Sequence, residues 1–180
     1  METLLTKSEL LAATGGRQTG NAECFFTDVQ TDSRNVCADK PSMFVPLIGE
    51  FQNGHKYIPD VLGKGASVIL MNEAEYKSQT AYYDELAAAN PSVCFVCVEN
   101  TLHALQNAAE AYVSKKCSNM ILVSITGSSG KTTTKEMMVS VAKAHFGDEA
   151  VAYTYGNLNS ETGLPLSVFK IRGDEKNRNL

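Results

Sequence analysis

The 180-residue sequence has no tryptophan, no excess of positive charge and no long apolar run. Its formal net charge is -4 at pH 7, whereas a domain that binds nucleic acid usually has a basic surface. No apolar stretch approaches the ~20 residues that a membrane-spanning helix needs. The first residues also lack the basic and apolar regions of a signal peptide. We therefore expect a cytoplasmic protein that binds neither nucleic acid nor a membrane.

Cysteines are few and follow no regular spacing. The five are Cys24, Cys37, Cys94, Cys97 and Cys117, and an odd, scattered set favours reduced thiols in a reducing compartment. Cys94 and Cys97 match a C-x-x-C motif, but they lie in a predicted strand, where side chains three positions apart point to opposite faces. We expect small buried side chains there, and neither a metal site nor a disulfide between these two.

What the sequence does contain is an alternation of strand and helix patterns. Thr6 and Glu9 form a capping box at the start of a first helix, and Thr101 is the predicted N-cap of a later one. Apolar and helical periodicity predicts strands near 24–30, 42–48, 67–71, 93–98, 120–125 and 150–155, and helices near 7–14, 57–63, 101–116, 131–146 and 164–171. This order predicts an α/β fold: a small mixed α/β N-terminal domain at 1–117, then the start of a P-loop parallel-sheet domain at 118–180.

The stretch "TGSSGKTT" at 126–133 has the chemistry of a phosphate-binding loop. Phosphate needs backbone N–H donors and a cation, and the start of a helix supplies free N–H groups. Lys131 can reach the β- and γ-phosphates of a nucleotide, and the Thr132 hydroxyl can ligate Mg²⁺. Ile125 stands where the broad pattern has its first glycine, so a glycine-rich turn without a ligand is the alternative.

Two further stretches give the sequence a family resemblance. "ITGSSGKTTTKEMM" at 125–138 is followed by "GNLNSETGLPLSV" at 156–168, and a "TDSR" turn at 31–34 precedes a "GH" pair at 54–55. This combination resembles the Mur ligase family over nearly the whole chain. Within the family the sequence is most similar to the ligases that add D-alanyl-D-alanine to UDP-N-acetylmuramoyl-tripeptide in peptidoglycan synthesis.

The resemblance implies a reaction and a set of site residues. Such ligases use ATP and Mg²⁺ to phosphorylate a substrate carboxylate, and an amine then attacks the acyl phosphate. Lys131 would stabilise charge on the transferred phosphoryl group, and Thr132 would hold the metal ion. The implied ATP-binding residues are Gly127, Ser128, Ser129, Gly130, Lys131, Thr132 and Thr133. The implied substrate-binding residues are Ser33 and Arg34, with Gly54 and His55 nearby, and Asn157 and Asn159 beside the cleft.

Two departures from the family accompany the resemblance. Asn53 stands where the family usually has aspartate. Only 49 residues follow Lys131 (180 minus 131), and the family's metal-binding glutamate, modified lysine and C-terminal domain cannot be located among them. We therefore expect part of a longer ligase, inactive alone, with exposed apolar surface and with the missing C-terminal part as its partner.

Several alternatives stay open at the level of sequence. The chain can belong to a related amide-forming ligase, such as a meso-diaminopimelate-adding enzyme or a folylpolyglutamate synthase. It can also be a non-catalytic nucleotide-binding module. For individual residues, Arg34 can be a solvated loop charge and His55 can brace its own turn. Asn157 and Asn159 can be simple loop-forming residues.

Overall fold

A five-stranded sheet organises the first hundred residues of the chain. A computed structural model describes residues 3–154 and 160–171. The strands are β1 (Arg17–Thr19), β2 (Asp28–Gln30), β3 (Ser42–Phe44), β4 (Ala66–Asn72) and β5 (Cys94–Val98). Their spatial order is β1-β5-β4-β3-β2. Strands β2 to β5 run parallel, and β1 pairs antiparallel with β5. The α/β class predicted from the sequence is confirmed.

Seven helices accompany this sheet within the described residues. They are α1 (Lys7–Thr14), α2 (Ile58–Gly63), α3 (Glu73–Ser78), α4 (Thr80–Ala89), α5 (Thr101–Lys116), α6 (Lys131–Phe146) and α7 (Gly163–Val168). Short 3-10 turns lie at Ser33–Asn35, Gly54–Tyr57 and Asp148–Ala150. None of the helices in the described ranges is long and apolar enough to cross a membrane.

The two central strands bury side chains on both faces. Val68 and Leu70 of β4 join one core cluster, which also contains buried residues of α1 and α5. Ile69 and Met71 of the same strand join a second cluster, with buried residues of α2 and α4. Strands covered on both faces read as continuous apolar runs instead of alternating ones. This explains why β4 and β5 could be predicted from the sequence.

The cysteines follow the strand geometry, with one exception to the expected free thiols. Cys94 lies in the first cluster and Cys97 in the second, so the prediction that they face opposite sides of the sheet is confirmed. Cys24, however, forms a disulfide with Cys94, and their Cα atoms are 5.4 Å apart. The expectation of five reduced thiols is wrong for this pair. A sequence separation of 70 residues leaves no spacing signal for it.

The helix caps agree with the sequence at α1 and differ by one residue at α5. Thr6 and Glu9 form both hydrogen bonds of the capping box. At α5 the N-cap is Asn100, whose side-chain oxygen accepts from the N–H groups of residues 102 and 103. Thr101 instead donates its hydroxyl to the carbonyl of Pro46 at 2.7 Å. Both residue types can cap a helix, so the sequence alone did not separate them.

The two strands predicted after residue 117 do not form within the described residues. Residues 120–127 and 151–154 have no sheet partner there. An extended segment becomes a strand only when a neighbour supplies ladder hydrogen bonds, and no described residue does so. Helix α6 forms as predicted but buries no side chain. The expected exposed apolar surface is confirmed, and it includes Ile121, Leu122, Val123, Met137, Met138, Val141 and Phe146.

The last described segment packs against the first core. Phe169, just after α7, is almost fully buried and lies 5.5 Å from the Tyr112 ring, centroid to centroid. The Tyr112 hydroxyl donates to the carbonyl of Ile171 at 2.6 Å. Gln106 of the same helix, α5, donates to the carbonyl of Glu161. Residues 160–171 are therefore joined to α5 although α6 intervenes in the sequence.

Candidate functional site

The loop before α6 has the backbone shape that binds an anion. Gly130 precedes the helix with φ +76°, and Gly127 has φ +151°. Side chains with a Cβ rarely adopt such angles. The turn therefore needs these glycines to bring the chain from the extended segment into the first turn of α6.

The N–H groups of this loop are available to a ligand. Those of residues 127–133 donate no hydrogen bond to any residue in the described ranges, and the first one of the helix that does so belongs to Thr134. Unpaired N–H groups at the positive end of a 16-residue helix attract phosphate oxygens. The predicted loop, Gly127 to Thr133, has this geometry throughout.

Lys131 folds back over the same loop. Its ammonium group donates to the carbonyl of Gly127, so the charge lies beside the unpaired N–H groups. The Thr132 side chain is exposed and makes no hydrogen bond within the described part of the chain. The cation and the hydroxyl that the sequence singled out therefore lie on one short loop.

A second group of predicted residues lies at one edge of the sheet. Strands β2 to β4 are parallel, so the segments that follow them leave from the same edge. The turn after β2 carries Ser33 and Arg34, and its N-cap Asp32 accepts the backbone N–H of Arg34. Ligands of open α/β sheets bind at this carboxyl edge.

Asp32 and Arg34 form an ion pair at the surface of this turn. The guanidinium donates to both carboxylate oxygens. These hydrogen bonds and the backbone N–H of Arg34 lower the pKa of Asp32 to about 2. The Arg34 side chain is 85% exposed, so it can contact a ligand in solution, and an exposed pair of this kind contributes little to stability.

Lys64, which the sequence analysis did not select, anchors the same turn. Its ammonium donates to the carbonyl of Ser33 at 3.1 Å and to Asp60 at 2.8 Å. It follows α2, so this helix connects the 33–35 turn with the 54–57 turn. The sequence signal was limited to an Asp–Lys pair four residues apart, which is too common to indicate a site.

His55 is buried, unlike the exposed Arg34. Its side chain is 3% exposed. Its Nδ1 lies 2.7 Å from the side-chain oxygen of Asn53, and its Nε2 accepts the backbone N–H of Asn72 at 2.9 Å. Burial lowers the pKa of His55, and the charge on Glu75 opposes this shift. Both ring nitrogens are therefore engaged within the protein.

The predicted site residues thus fall into two groups. Ser33, Arg34, Gly54 and His55 lie at the sheet edge, whereas Gly127 to Thr133 lie on the loop before α6 and in the first turn of that helix. Within residues 3–154 and 160–171, no hydrogen bond or ion pair joins the two groups. Asn157 and Asn159 lie outside the described residues. The described residues also contain no cluster of three or more histidine, cysteine or acidic side chains that could hold a metal ion.

The chain is similar to several proteins of known family. Residues 125–178 match the Mur ligase middle domain. The chain is 39% identical over 180 residues to the UDP-N-acetylmuramoyl-tripeptide–D-alanyl-D-alanine ligase of Treponema pallidum, an alignment that covers 96% of this chain and 36% of that protein. The chain thus spans about a third of the length of the curated relative.

Two solved structures extend the similarity to the fold. A crystal structure of MurF from Acinetobacter baumannii superposes with a TM-score of 0.73 at 26% identity, over 95% of this chain and 34% of the other. The MurF ligase of Thermotoga maritima in complex with ADP gives a TM-score of 0.58 at 30% identity, over 79% and 28% of the two chains. Taken with the match of the middle domain, these similarities identify the chain as a member of the Mur ligase family.

Proposed function

We propose that this chain is part of an ATP-dependent ligase that adds D-alanyl-D-alanine to UDP-N-acetylmuramoyl-tripeptide. Residues 1–117 would bind the UDP-linked substrate, and residues 118–180 would begin the ATP-binding domain. The observation that carries the proposal is the loop of unpaired N–H groups with the Lys131 ammonium beside them. The named relatives and the ADP-bound neighbour supply the substrate class.

ATP is the substrate that fits the loop before α6. The N–H groups of Gly127 to Thr133 would donate to phosphate oxygens, and Lys131 would stabilise the charge on the γ-phosphoryl group as it moves to the substrate carboxylate. The Thr132 hydroxyl would be one ligand of Mg²⁺. This ion usually takes few protein ligands, commonly one or two carboxylates, and completes its shell with phosphate oxygens and water, so Thr132 would share it with a carboxylate from the remaining part of the ligase. Because the reaction would draw on the ATP of the cell, we propose that the protein acts in the cytoplasm.

The UDP-linked substrate is proposed to bind at the carboxyl edge of the sheet. The exposed Arg34 guanidinium can pair with the diphosphate. The Ser33 hydroxyl makes no hydrogen bond within the described residues and can accept or donate one to the nucleotide. The turn that contains Gly54 and His55 would form one side of the same surface. By the family resemblance, Asn157 and Asn159 are proposed to contribute amide groups beside the cleft for ATP and substrate.

Amide synthesis is proposed to need polypeptide beyond these 180 residues. The relative from Treponema pallidum is nearly three times as long as the part that the chain matches. The apolar side chains on 121–123 and on α6 are exposed, and we propose that the remaining part of the ligase covers them. That part would also bind D-alanyl-D-alanine, whose amine attacks the acyl phosphate to give the amide and release phosphate.

Calorimetric titration with ATP and Mg²⁺ tests whether the Lys131 loop binds the nucleotide. We expect Lys131→Ala to weaken ATP binding at least about tenfold, because a charge-assisted contact with phosphate is lost. Lys143→Ala is the matched control. This lysine lies near the other end of α6, where it pairs with Asp148, and its removal should leave ATP affinity unchanged. Equal ATP affinity of Lys131→Ala and the wild type would refute the proposal.

A second titration separates the proposed substrate from those of related ligases. The chain should bind UDP-N-acetylmuramoyl-tripeptide and should not bind folate. Preference for the UDP-muramoyl dipeptide over the tripeptide would instead identify a diaminopimelate-adding ligase. Binding of ATP without any UDP-linked ligand would favour a nucleotide-binding module.

A further inference from the structure

A buried imidazole, that of His55, links the Gly54–His55 turn to the neighbouring strand β4 through both of its ring nitrogens. Nε2 of His55 accepts from the backbone N–H of Asn72, which can only donate. The proton of a neutral ring must therefore be on Nδ1, which donates to the Asn53 side-chain oxygen. The ring thus connects the residue before the turn with the last residue of β4.

Asn53 uses both ends of its amide in this arrangement. Its oxygen accepts from the backbone N–H of His55 at 3.0 Å as well as from the ring. Its nitrogen donates to a carboxylate oxygen of Glu75 at 2.6 Å. A carboxylate at position 53 has no donor to offer, so the hydrogen bond to Glu75 depends on the side-chain amide of Asn53.

Asn72 extends the chain of hydrogen bonds to the next strand. Its side-chain oxygen caps α3 by accepting from the N–H groups of residues 74 and 75. Its side-chain nitrogen donates to the carbonyl of Glu99, just after β5. Three amide or imidazole side chains therefore join the segments that follow β3, β4 and β5 at the carboxyl edge of the sheet.

Gly54 leaves the turn little freedom to shift. Its N–H donates to the carbonyl of Leu47 at 2.8 Å. A Cβ added at Gly54 would lie 2.9 Å from the backbone nitrogen and oxygen of Leu47, which is closer than packing allows. The turn is pressed against the segment after β3 on one side and held by His55 on the other.

We propose that Asn53, His55 and Asn72 are positioning residues that fix the Gly54–His55 turn in the orientation needed to bind the UDP-linked substrate. His55 acts through its buried ring and does not itself contact the ligand. The inference rests on the proposed function, because it assigns these residues to the substrate surface of that ligase. The side-chain amide of Asn53 donates to Glu75, and substrate affinity depends on this hydrogen bond.

A double-mutant cycle at positions 53 and 75 tests this hydrogen bond at pH 8, where the imidazole is neutral. Asn53→Asp places two carboxylates in contact, so the turn should move and affinity for UDP-N-acetylmuramoyl-tripeptide should fall about tenfold or more. Glu75→Gln is the matched control, since its side-chain oxygen still accepts from Asn53, and it should bind almost as well as the wild type. The double variant restores a donor opposite the carboxylate and should recover most of the affinity.

Two further measurements distinguish a loss of substrate binding from a loss of folding. Circular dichroism and the thermal transition establish that each variant is folded, and ¹⁵N NMR of the imidazole should show the proton on Nδ1 in the wild type. If the wild type binds no UDP-linked ligand, the proposed function fails and the inference fails with it. If the wild type binds and folded Asn53→Asp binds equally well, or the double variant shows no recovery, the positioning role alone is overturned.

Discussion

At the scale of single residues, the partners of a side chain decide its role more than its type does. Arg34 and His55 both come from short motifs that the sequence analysis selected together. The structure leaves the first exposed and buries the second with both ring nitrogens engaged. Asn72 lies 17 positions from His55, so no local pattern could have predicted this contact. The contact of Lys64 with this turn could not be predicted either, because its acceptor, the Ser33 carbonyl, lies 31 positions away.

The Asp32 carboxylate provides a residue-scale prediction about pH. Its pKa in the folded chain is about 2, below the ordinary value of 3.8. Because the folded pKa is depressed, its contribution to the turn is fully present above about pH 4 and is lost as pH falls through about 2. Titration followed by carboxyl ¹³C NMR should give this low value. In Arg34→Ala the pKa of Asp32 should rise, and an unchanged pKa in that variant would contradict the assigned cause.

At the scale of helices and strands, the elements with internal signals were predictable. The capping box of α1, the apolar runs of β4 and β5, and the glycines that flank α6 each specify an element from nearby residues. Strand β1 has no such signal: it contains three residues and forms because β5 offers it an edge. Residues 120–125 show the converse, since an apolar run without a described neighbour does not become a strand.

The start of α5 provides a prediction at this scale. Asn100→Ala removes the acceptor for the N–H groups of residues 102 and 103 and should lower the free energy of unfolding by about 1 kcal/mol. Asn100→Ser retains a capping oxygen and serves as the control. Urea denaturation measures both. Equal stability of Asn100→Ala and the wild type would mean that Thr101 can replace the cap, as the sequence first indicated.

At the scale of the whole molecule, the chain has one well-packed part and one part with little packing. Both core clusters lie on the sheet. The loop that would bind ATP precedes a helix with no buried residue. The residues of that loop could be predicted, because glycine, lysine and threonine carry the phosphate-binding chemistry themselves. The apolar packing of α6 could not, because its described contacts with residues 148–154 are made by lysine side chains and bury none of its apolar side chains.

Hydrogen exchange measured by NMR should reveal this difference. Helices α5 and α6 have the same length of 16 residues, but six residues of α5 are buried and none of α6 is. An isolated helix of this length is marginally stable in water. Amide protons of α6 should therefore exchange at least about a hundredfold faster than those of α5. Equal protection of the two helices would show that α6 is covered, for example by a second molecule.

The packing of Phe169 against Tyr112 bears on how the N-terminal part of the chain, with its five-stranded sheet, can be isolated. A gene truncated after residue 117 would encode the whole sheet but would omit Phe169, whose ring packs against Tyr112 of α5. Such a truncation product would lose this ring and the carbonyl of Ile171 together. We therefore recommend that residues 160–171 be supplied together with residues 1–117. They can be fused through a short linker or added as a synthetic peptide.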